Sequence, residues 1–178
     1  DWIAVQEEEQ VKITKPKIGI MVEVPSVLFQ IGEFAELVDF FSVGSNDLTQ
    51  YLLAVDRNNP HVANVYSHFH PSVLRALQNL VQACHQQQKP ISVCGEMAGD
   101  PLTAILLMAM GFNTLSMSSS NILRVRKAIC HVPMSDATKL LDDVLKMNNP
   151  LLIKSWLEHY FRTHGLADMV KSNRLLSA

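Results

Sequence analysis

The sequence predicts an α/β fold built from four βα units, which is half the number in a (β/α)₈ barrel. Three observations lead to this prediction. Four short apolar runs recur along the chain, and each is followed by a segment with helical periodicity. Strands and helices that alternate in this way form parallel sheets through helical crossovers. Polar residues follow the end of every run, which is where α/β folds build their active sites.

The composition limits the function classes. The chain has 178 residues, 48% of them hydrophobic, enough for one domain with a core. Its net charge of −2 offers no basic face for nucleic acid. No apolar run reaches the roughly 18 residues of a membrane helix, and no signal-peptide pattern is present. Cys84, Cys94 and Cys130 lack the C-x-x-C spacing of a zinc site, and their odd number argues against a disulfide framework. We therefore expect a cytoplasmic protein without nucleic-acid or membrane partners.

The chain divides into three segments. It starts at Asp1 rather than at a methionine, so we interpret it as a fragment of a longer polypeptide. Residues 1–16 form a polar lead-in segment, and residues 17–132 contain the four βα units. Residues 133–178 contain C-terminal helices and a tail.

The first unit begins with Lys17–Val24, whose nearly continuous apolar character is typical of a strand covered on both faces. Glu23 interrupts the pattern, and a carboxylate there would be costly to bury without a partner or a metal. Pro25 suits the first turn of a helix. Apolar residues at helical spacing then predict one face of that helix: Val27, Leu28, Ile31, Phe34, Ala35 and Val38.

The second unit contains more candidate functional residues than the other three. The strand Phe40–Val43 ends at Gly44, and a helix is predicted from about Leu48 to Val55 after a tight polar turn. Such a turn exposes backbone N–H groups that can hold an anion. Asp47 in the turn could ligate a divalent cation, and Arg57 has a fork suited to phosphate. The competing interpretation is that Asp47 caps the helix and forms a capping box with Gln50.

A loop separates the second and third units. His61, His68 and His70 in this loop lack the spacing of a helical metal site, so we predict that they are surface residues. The segment Pro71–Gln88 that follows is predicted to be an amphipathic helix, and Cys84 continues its apolar stripe.

The remaining elements follow the same pattern. The predicted elements, in order, are a strand at 90–94, a helix from Pro101 to Met110 ended by Gly111, a strand at 114–117, and helices at 122–129, 135–146 and 151–164. Ser135 is the predicted N-cap of the helix that it begins. The tail from Gly165 is expected to be loosely ordered.

The ends of the four strands predict one site, because parallel strands bring their carboxyl ends to the same edge. Glu23 and Asp47 supply the hard oxygen ligands that suit Mg²⁺. Asn46, the Asp47 backbone and Arg57 could hold a phosphate beside the ion. Cys94 has carboxylates but no cation near it in sequence, so we expect it to stay protonated and to act as a proton donor. Ser116 and Ser118 lie at the end of the fourth strand.

Several motifs resemble enzyme I of the phosphoenolpyruvate-dependent sugar phosphotransferase system, most closely its nitrogen-related paralogue. They are GIMVEVP at 19–25, DFFSVGSNDLTQYLLAVDRNN at 39–59, HPSVLRAL at 70–77, CGEMAGDP at 94–101 and LSMS at 115–118. The resemblance covers about residues 1–130. It implies the C-terminal half of a phosphoenolpyruvate-binding barrel, in which Glu23 and Asp47 ligate Mg²⁺. Asn46, the Asp47 backbone and Arg57 would contact the substrate phosphate, and Cys94 would protonate the enolate of pyruvate.

The resemblance also implies partners. The family phosphorylates a histidine on a separate N-terminal domain, passes the phosphoryl group to a small phosphocarrier protein, and associates through this domain, which implies a homodimeric parent. Neither that domain nor the family's further substrate-binding arginines lie within these residues, so we predict no turnover of phosphoenolpyruvate by this polypeptide alone. Three alternatives remain open: a pyruvate phosphate dikinase or phosphoenolpyruvate synthase barrel, a Mg²⁺-dependent aldolase or lyase, and a non-catalytic dimerisation module.

Overall fold

The protein is an α/β domain with one parallel sheet of four strands in the order β1-β2-β3-β4. The computed structural model describes residues 2–12 and 14–170. The strands are β1 (Gly19–Val22), β2 (Phe40–Gly44), β3 (Ile91–Cys94) and β4 (Thr114–Ser116). Every neighbouring pair is parallel, which confirms the α/β prediction and each of the four predicted strands.

The described helices connect the strands and continue beyond the last one. They are α1 (Trp2–Glu9), α2 (Ile31–Ala35), α3 (Ser45–Leu53), α4 (Pro71–Gln86), α5 (Glu96–Gly99), α6 (Pro101–Met110), α7 (Ser119–His131), α8 (Met134–Lys146) and α9 (Pro150–Thr163). The predicted bounds of α4, α6 and α9 agree with these to within two residues. Gly111 ends α6 in the left-handed conformation, as predicted.

One face of the sheet is covered by helices. The strand registers align Val22, Val43 and Val93 on this face, and all three are fully buried. They belong to a single apolar cluster with residues of α2, α4, α6, α8 and α9. Helix α6 is buried on most of its circumference and contacts α7, α8 and α9. The core therefore lies entirely between the sheet and these helices.

The opposite face of the sheet is open and more polar. Met21, Ser42, Ser92 and Thr114 align across the four strands on this face. The Met21 residue is 47% exposed and Thr114 is also exposed, while the two serines are intermediate. The prediction that the first strand is covered on both faces was therefore wrong. The run is apolar on both faces of the strand, but only the face that carries Val22 is packed, and the face that carries Met21 is open.

Two helix predictions were also wrong in detail. The segment after Pro25 is not one helix: a 3₁₀ turn (Pro25–Phe29) precedes the short α2, and Phe29 is 86% exposed. The predicted inward residues Ile31, Ala35 and Val38 are nevertheless buried. Ser135 is not an N-cap, because α8 begins one residue earlier and its hydroxyl makes no cap bond.

Residues 2–9 and 165–170, near the two ends of the described chain, have structure that was not predicted. The lead-in segment contains α1, although its polar sequence gave no helix start signal. At the other end, Leu166, Met169 and Val170 are buried against the core, so residues 165–170 are packed rather than loose. The rest of the predicted tail lies outside the described residues. Within the described part of the chain, no helix is long and apolar enough to cross a membrane.

Candidate active site

The carboxyl end of β2 passes directly into α3. Gly44 is both the last strand residue and the N-cap of α3, and Ser45, Asn46 and Asp47 form the first helical turn. The prediction of a separate turn before a helix at Leu48 was wrong. The helix start was missed because Ser45, Asn46 and Asp47 are helical but contribute no apolar residue to the stripe from which the helix was predicted.

Ser45 ties this helical turn to the neighbouring strand end. Its side chain is buried, and its hydroxyl donates to the Cys94 carbonyl at 2.7 Å. Gly95 permits the close approach: its φ of +104° disfavours L side chains, and a Cβ there would lie 2.5 Å from Ser45 Oγ. The ends of β2 and β3 are therefore locked together by a hydroxyl and a glycine.

Asn46 connects three parts of the site. Its side-chain Oδ1 accepts a hydrogen bond from the Glu96 backbone N–H at 3.1 Å. Its backbone carbonyl accepts one from the Tyr66 hydroxyl, also at 3.1 Å. Oδ1 is used by Glu96, and the Asn46 side-chain NH₂ group bonds no acceptor among the described residues, so it can donate to a ligand oxygen.

Asp47 and Arg57 form an ion pair at the mouth of the site. Arg57 Nη1 lies 3.2 Å from Asp47 Oδ1, with the side chains 33% and 43% exposed. Arg57 Nη1 is nevertheless buried and makes no hydrogen bond to any described residue, so it keeps a donor for an anion. Gln50 Oε1 accepts from the Arg57 backbone N–H, which fixes the loop that carries the arginine. The capping-box alternative fails, because no side chain caps α3.

Glu23 follows β1 and lies against the start of α3. A Cβ on Gly44 would come within 2.8 Å of Glu23 Oε2, so the glycine leaves the space that this carboxylate occupies. Glu23 makes no hydrogen bond or ion pair with another described residue. Among residues 2–12 and 14–170, no group of three or more His, Cys, Asp or Glu could hold a metal by itself. Two carboxylates at adjacent strand ends fit Mg²⁺, which keeps several positions for water and substrate oxygens.

Cys94 is the last residue of β3 and lies on the open face of the sheet. Its register neighbours are Gly44 and Ser116, so its side chain belongs to the last layer before the strand ends. The thiol is partly buried and contacts the Val43 carbonyl at 3.4 Å. In contrast, Cys84 is enclosed by the core, and burial raises the pKa of its thiol to about 12. Of these two thiols, only Cys94 faces the site.

Tyr66 and His68 belong to the site although the sequence did not indicate them. His68 is half-buried, and its Nε2 lies 2.9 Å from the Tyr66 hydroxyl, so the prediction of a surface histidine was wrong. Burial raises the pKa of Tyr66 and lowers that of His68, and a hydrogen bond from Arg57 partly offsets the first effect. The only available signal was apolar Phe69 beside His68, which indicated a loop that turns inward.

A cavity of about 300 Å³ borders the site on the side of the C-terminal helices. His68 and Glu96 line this cavity, and so do Arg124 of α7 and Lys154 of α9. The predicted fourth-strand residues contribute less: the hydroxyls of Ser118 and Ser120 bond each other at 3.0 Å. The site is thus concentrated at the ends of β1, β2 and β3.

Comparison with known proteins identifies the family. The sequence profile of the PEP-utilising enzymes, PEP-binding domain, matches residues 3–134. The chain belongs to this family. The match covers all four βα units, so the sheet and helices described above are consistent with the C-terminal half of its phosphoenolpyruvate-binding barrel.

Curated relatives agree with this assignment. A protein of Salmonella typhimurium, named phosphoenolpyruvate-dependent phosphotransferase system, is 39% identical over 89% of this chain and 21% of its own length. The phosphoenolpyruvate-protein phosphotransferase of Haemophilus influenzae is 39% identical over 84% of the chain and 26% of its own length. A multiphosphoryl transfer protein of Escherichia coli O6:H1 is 52% identical over 63% of the chain. The chain therefore spans about a fifth to a quarter of the length of the first two.

Proposed function

We propose that this chain is the phosphate- and metal-binding half of the barrel of a phosphoenolpyruvate-protein phosphotransferase. Such an enzyme moves the phosphoryl group of phosphoenolpyruvate to a protein histidine and then to a phosphocarrier protein, and it releases pyruvate. One observation carries the proposal: in a chain of this family, Glu23, Asn46, Asp47, Arg57 and Cys94 converge at one edge of the sheet.

Phosphate binding is supported by two donor groups, on Arg57 and Asn46, that make no hydrogen bond to a described residue. Arg57 Nη1 is buried without a hydrogen-bond acceptor, and the Asn46 amide is oriented by the Glu96 N–H. A phosphate oxygen would satisfy both donors at the beginning of α3, where the helix dipole also favours negative charge. The Asp47–Arg57 pair would open as the phosphate replaces the carboxylate on the guanidinium.

Metal binding assigns a role to the two carboxylates. Glu23 and the released Asp47 would hold Mg²⁺, which supplies charge neutralisation for the substrate oxygens when it is bound. Glu23 is positioned for this by the space at Gly44. Once Asp47 has left Arg57, the carboxylates of Glu23 and Asp47 would repel each other unless a metal ion lay between them. Metal and substrate are therefore expected to bind together.

Cys94 would complete the reaction as an acid. Breaking the bond between the phosphoryl group and its oxygen leaves the enolate of pyruvate, whose methylene carbon must gain a proton. The Cys94 S–H bond breaks, its proton forms the new C–H bond, and the resulting thiolate regains a proton from water. The thiol lies on the open face of the sheet rather than beneath the helices, and Cys94 is the register neighbour of Gly44, against which Glu23 lies.

Replacement of Cys94 tests the chemistry. In the whole polypeptide that contains this chain, we expect Cys94→Ala to slow pyruvate formation by about 10²- to 10⁴-fold. The exposed Cys130 provides a matched control, and Cys130→Ala should retain the full rate. Full activity of Cys94→Ala would instead favour a Mg²⁺-dependent lyase, whose chemistry needs no thiol acid.

Binding to this chain tests the metal and phosphate groups separately. We expect phosphoenolpyruvate to bind more tightly with Mg²⁺ than without it, as measured by calorimetry, and Glu23→Gln to abolish that difference. Glu33→Gln alters an exposed carboxylate on α2 and should change neither affinity. Equal affinity of the unmodified chain with and without Mg²⁺ would refute the metal assignment.

The proposal includes the surroundings of the enzyme. We propose a phosphocarrier protein as the final acceptor, which fits the relatives named as phosphotransferases, and a cytoplasmic location. We also propose that the parent protein is a homodimer. Sedimentation of the whole polypeptide as a monomer at micromolar concentration would contradict this last point.

A further inference from the structure

The loop after α3 carries a hydrogen-bonded pair that reaches the phosphate end of the site. His68 Nε2 lies 2.9 Å from the Tyr66 hydroxyl, and their rings meet edge to face with centroids 5.1 Å apart. The same hydroxyl donates to the Asn46 carbonyl at 3.1 Å. Three residues separated by up to 22 positions are thus joined through one oxygen.

The number of available protons determines the direction of these bonds. A tyrosine hydroxyl has a single proton, and here it has two neighbouring acceptor candidates, the Asn46 carbonyl and His68 Nε2. A carbonyl oxygen can only accept. Both contacts are satisfied only when His68 carries its proton on Nε2 and donates to the Tyr66 oxygen. The Tyr66 proton is then left for the Asn46 carbonyl.

We propose that His68 is a positioning residue for the phosphate-binding turn: as the Nε2–H tautomer it directs the Tyr66 proton onto the Asn46 carbonyl. This fixes the first turn of α3, where Asn46 and Asp47 lie. The role deepens the proposed function and rests on it. With the proton on Nδ1 instead, His68 Nε2 would compete with the Asn46 carbonyl for the Tyr66 proton, and the turn would lose a fixed anchor.

The surroundings of His68 keep this tautomer in place. Burial lowers the pKa of His68, and Arg57 acts in the same direction while Glu96 opposes it. The ring is therefore neutral at pH 7, with one proton to place. His68 also lines the 300 Å³ cavity. The chain also offers a matched control, because His61 lies exposed in the same loop.

The tautomer can be tested first, in the unmodified chain. Imidazole ¹⁵N chemical shifts at pH 7.5 should assign the His68 proton to Nε2. A proton on Nδ1 would overturn the proposal, since Nε2 would then compete for the Tyr66 proton. This measurement requires neither a variant nor a ligand.

Variants test the positioning role. His68→Leu removes the donor, whereas the side-chain amide of His68→Gln keeps one. We expect His68→Leu and Tyr66→Phe each to weaken binding of phosphoenolpyruvate with Mg²⁺ by about 3- to 10-fold, as expected for a net hydrogen bond, and His68→Gln to restore most of the affinity. The double variant should be no weaker than the single ones, because both break the same bond. His61→Leu should bind like the unmodified chain.

Additive losses in the double variant, or unchanged affinity of His68→Leu, would overturn the positioning role. The backbone amide signals of Asp47 and Glu96 separate this result from failure of the proposed function. We expect both signals to shift in His68→Leu and to return in His68→Gln. If the unmodified chain bound no phosphoenolpyruvate, the proposed function would fail, and the amide signals would still decide whether His68 positions the turn.

Discussion

The two faces of the sheet differ in what fills them and in what they do. The face toward the helices is lined with fully buried apolar side chains, among them Phe41, Val43 and Val93. The opposite face, at alternating positions of the same strands, presents Ser42, Ser92 and Cys94. Adjacent residues of one strand therefore belong to different environments. One face stabilises the fold through burial, and the other is available for chemistry because nothing in the described chain covers it fully.

The comparison also explains why the site is assembled by polar contacts. At the ends of β2 and β3 the groups that join the two strands are polar, although Leu48 and Met97 just beyond them are fully buried. Ser45, Asn46 and Gly95 join the strand ends through hydrogen bonds and close approach. Stability and positioning thus come from different residues, and substitutions should separate them.

Thiol labelling should give the largest contrast between the faces. Cys84 lies under the helices and its pKa is raised to about 12 by burial, whereas Cys94 lies on the open face. We expect N-ethylmaleimide to modify Cys84 more slowly than Cys94, by on the order of 10³-fold, because Cys84 requires opening of the core. Mass spectrometry of time points measures both rates. Similar rates would mean that the helices do not protect their face.

Stability should show the next largest contrast. Phe41→Ala removes a fully buried ring and is expected to lower the free energy of unfolding by about 3–5 kcal/mol. Ser92→Ala, on the other face, loses only a long 3.4 Å hydrogen bond and should cost less than about 0.5 kcal/mol. Urea denaturation measures both values. Comparable losses would show that the open face contributes to the core after all.

Gly95→Ala should have a smaller effect on stability but a direct effect on the site. The φ of +104° strains an alanine by about 1–3 kcal/mol. The new Cβ would also press on Ser45 Oγ and Asn46 Oδ1, so phosphoenolpyruvate affinity should fall. Gly32→Ala provides a control, because a Cβ there would meet only Gln87 Nε2, at an ordinary contact distance of 4.0 Å. Unchanged affinity in Gly95→Ala would show that the two strand ends tolerate separation.

The pH dependence of stability should show the smallest effect. Burial lowers the pKa of His68 below its usual value of about 6.5. The unfolded chain then binds a proton at a higher pH than the folded one, so stability falls as the pH drops through 6.5. His68→Gln should flatten this slope between about pH 6.5 and 5, measured by denaturation at each pH. An equal slope in His68→Gln would contradict burial as its cause, and exposed His61→Gln should leave it unchanged.

The sequence predicted much of the fold because its signals are local. Short apolar runs and period-3.6 patterns, together with Pro101 and Gly111, were sufficient for the strands and for the longer helices. The start of α3 was missed, since polar residues in a first turn resemble a loop. The course of 25–38 was also missed, because apolar spacing cannot distinguish one helix from a 3₁₀ turn and a short helix.

By itself, the sequence determined which residue types stand at the strand ends and in the loop after α3. These residues are the predicted site: Glu23, Asn46, Asp47, Arg57 and Cys94. Only the tertiary structure decided which face of each strand is open, and how the strand ends are joined. Ser45 meets Cys94 across 49 positions, and Tyr66 meets Asn46 across 20. A local pattern contains no information about such contacts, because they depend on the register of parallel strands and on the path of the loop that returns over them.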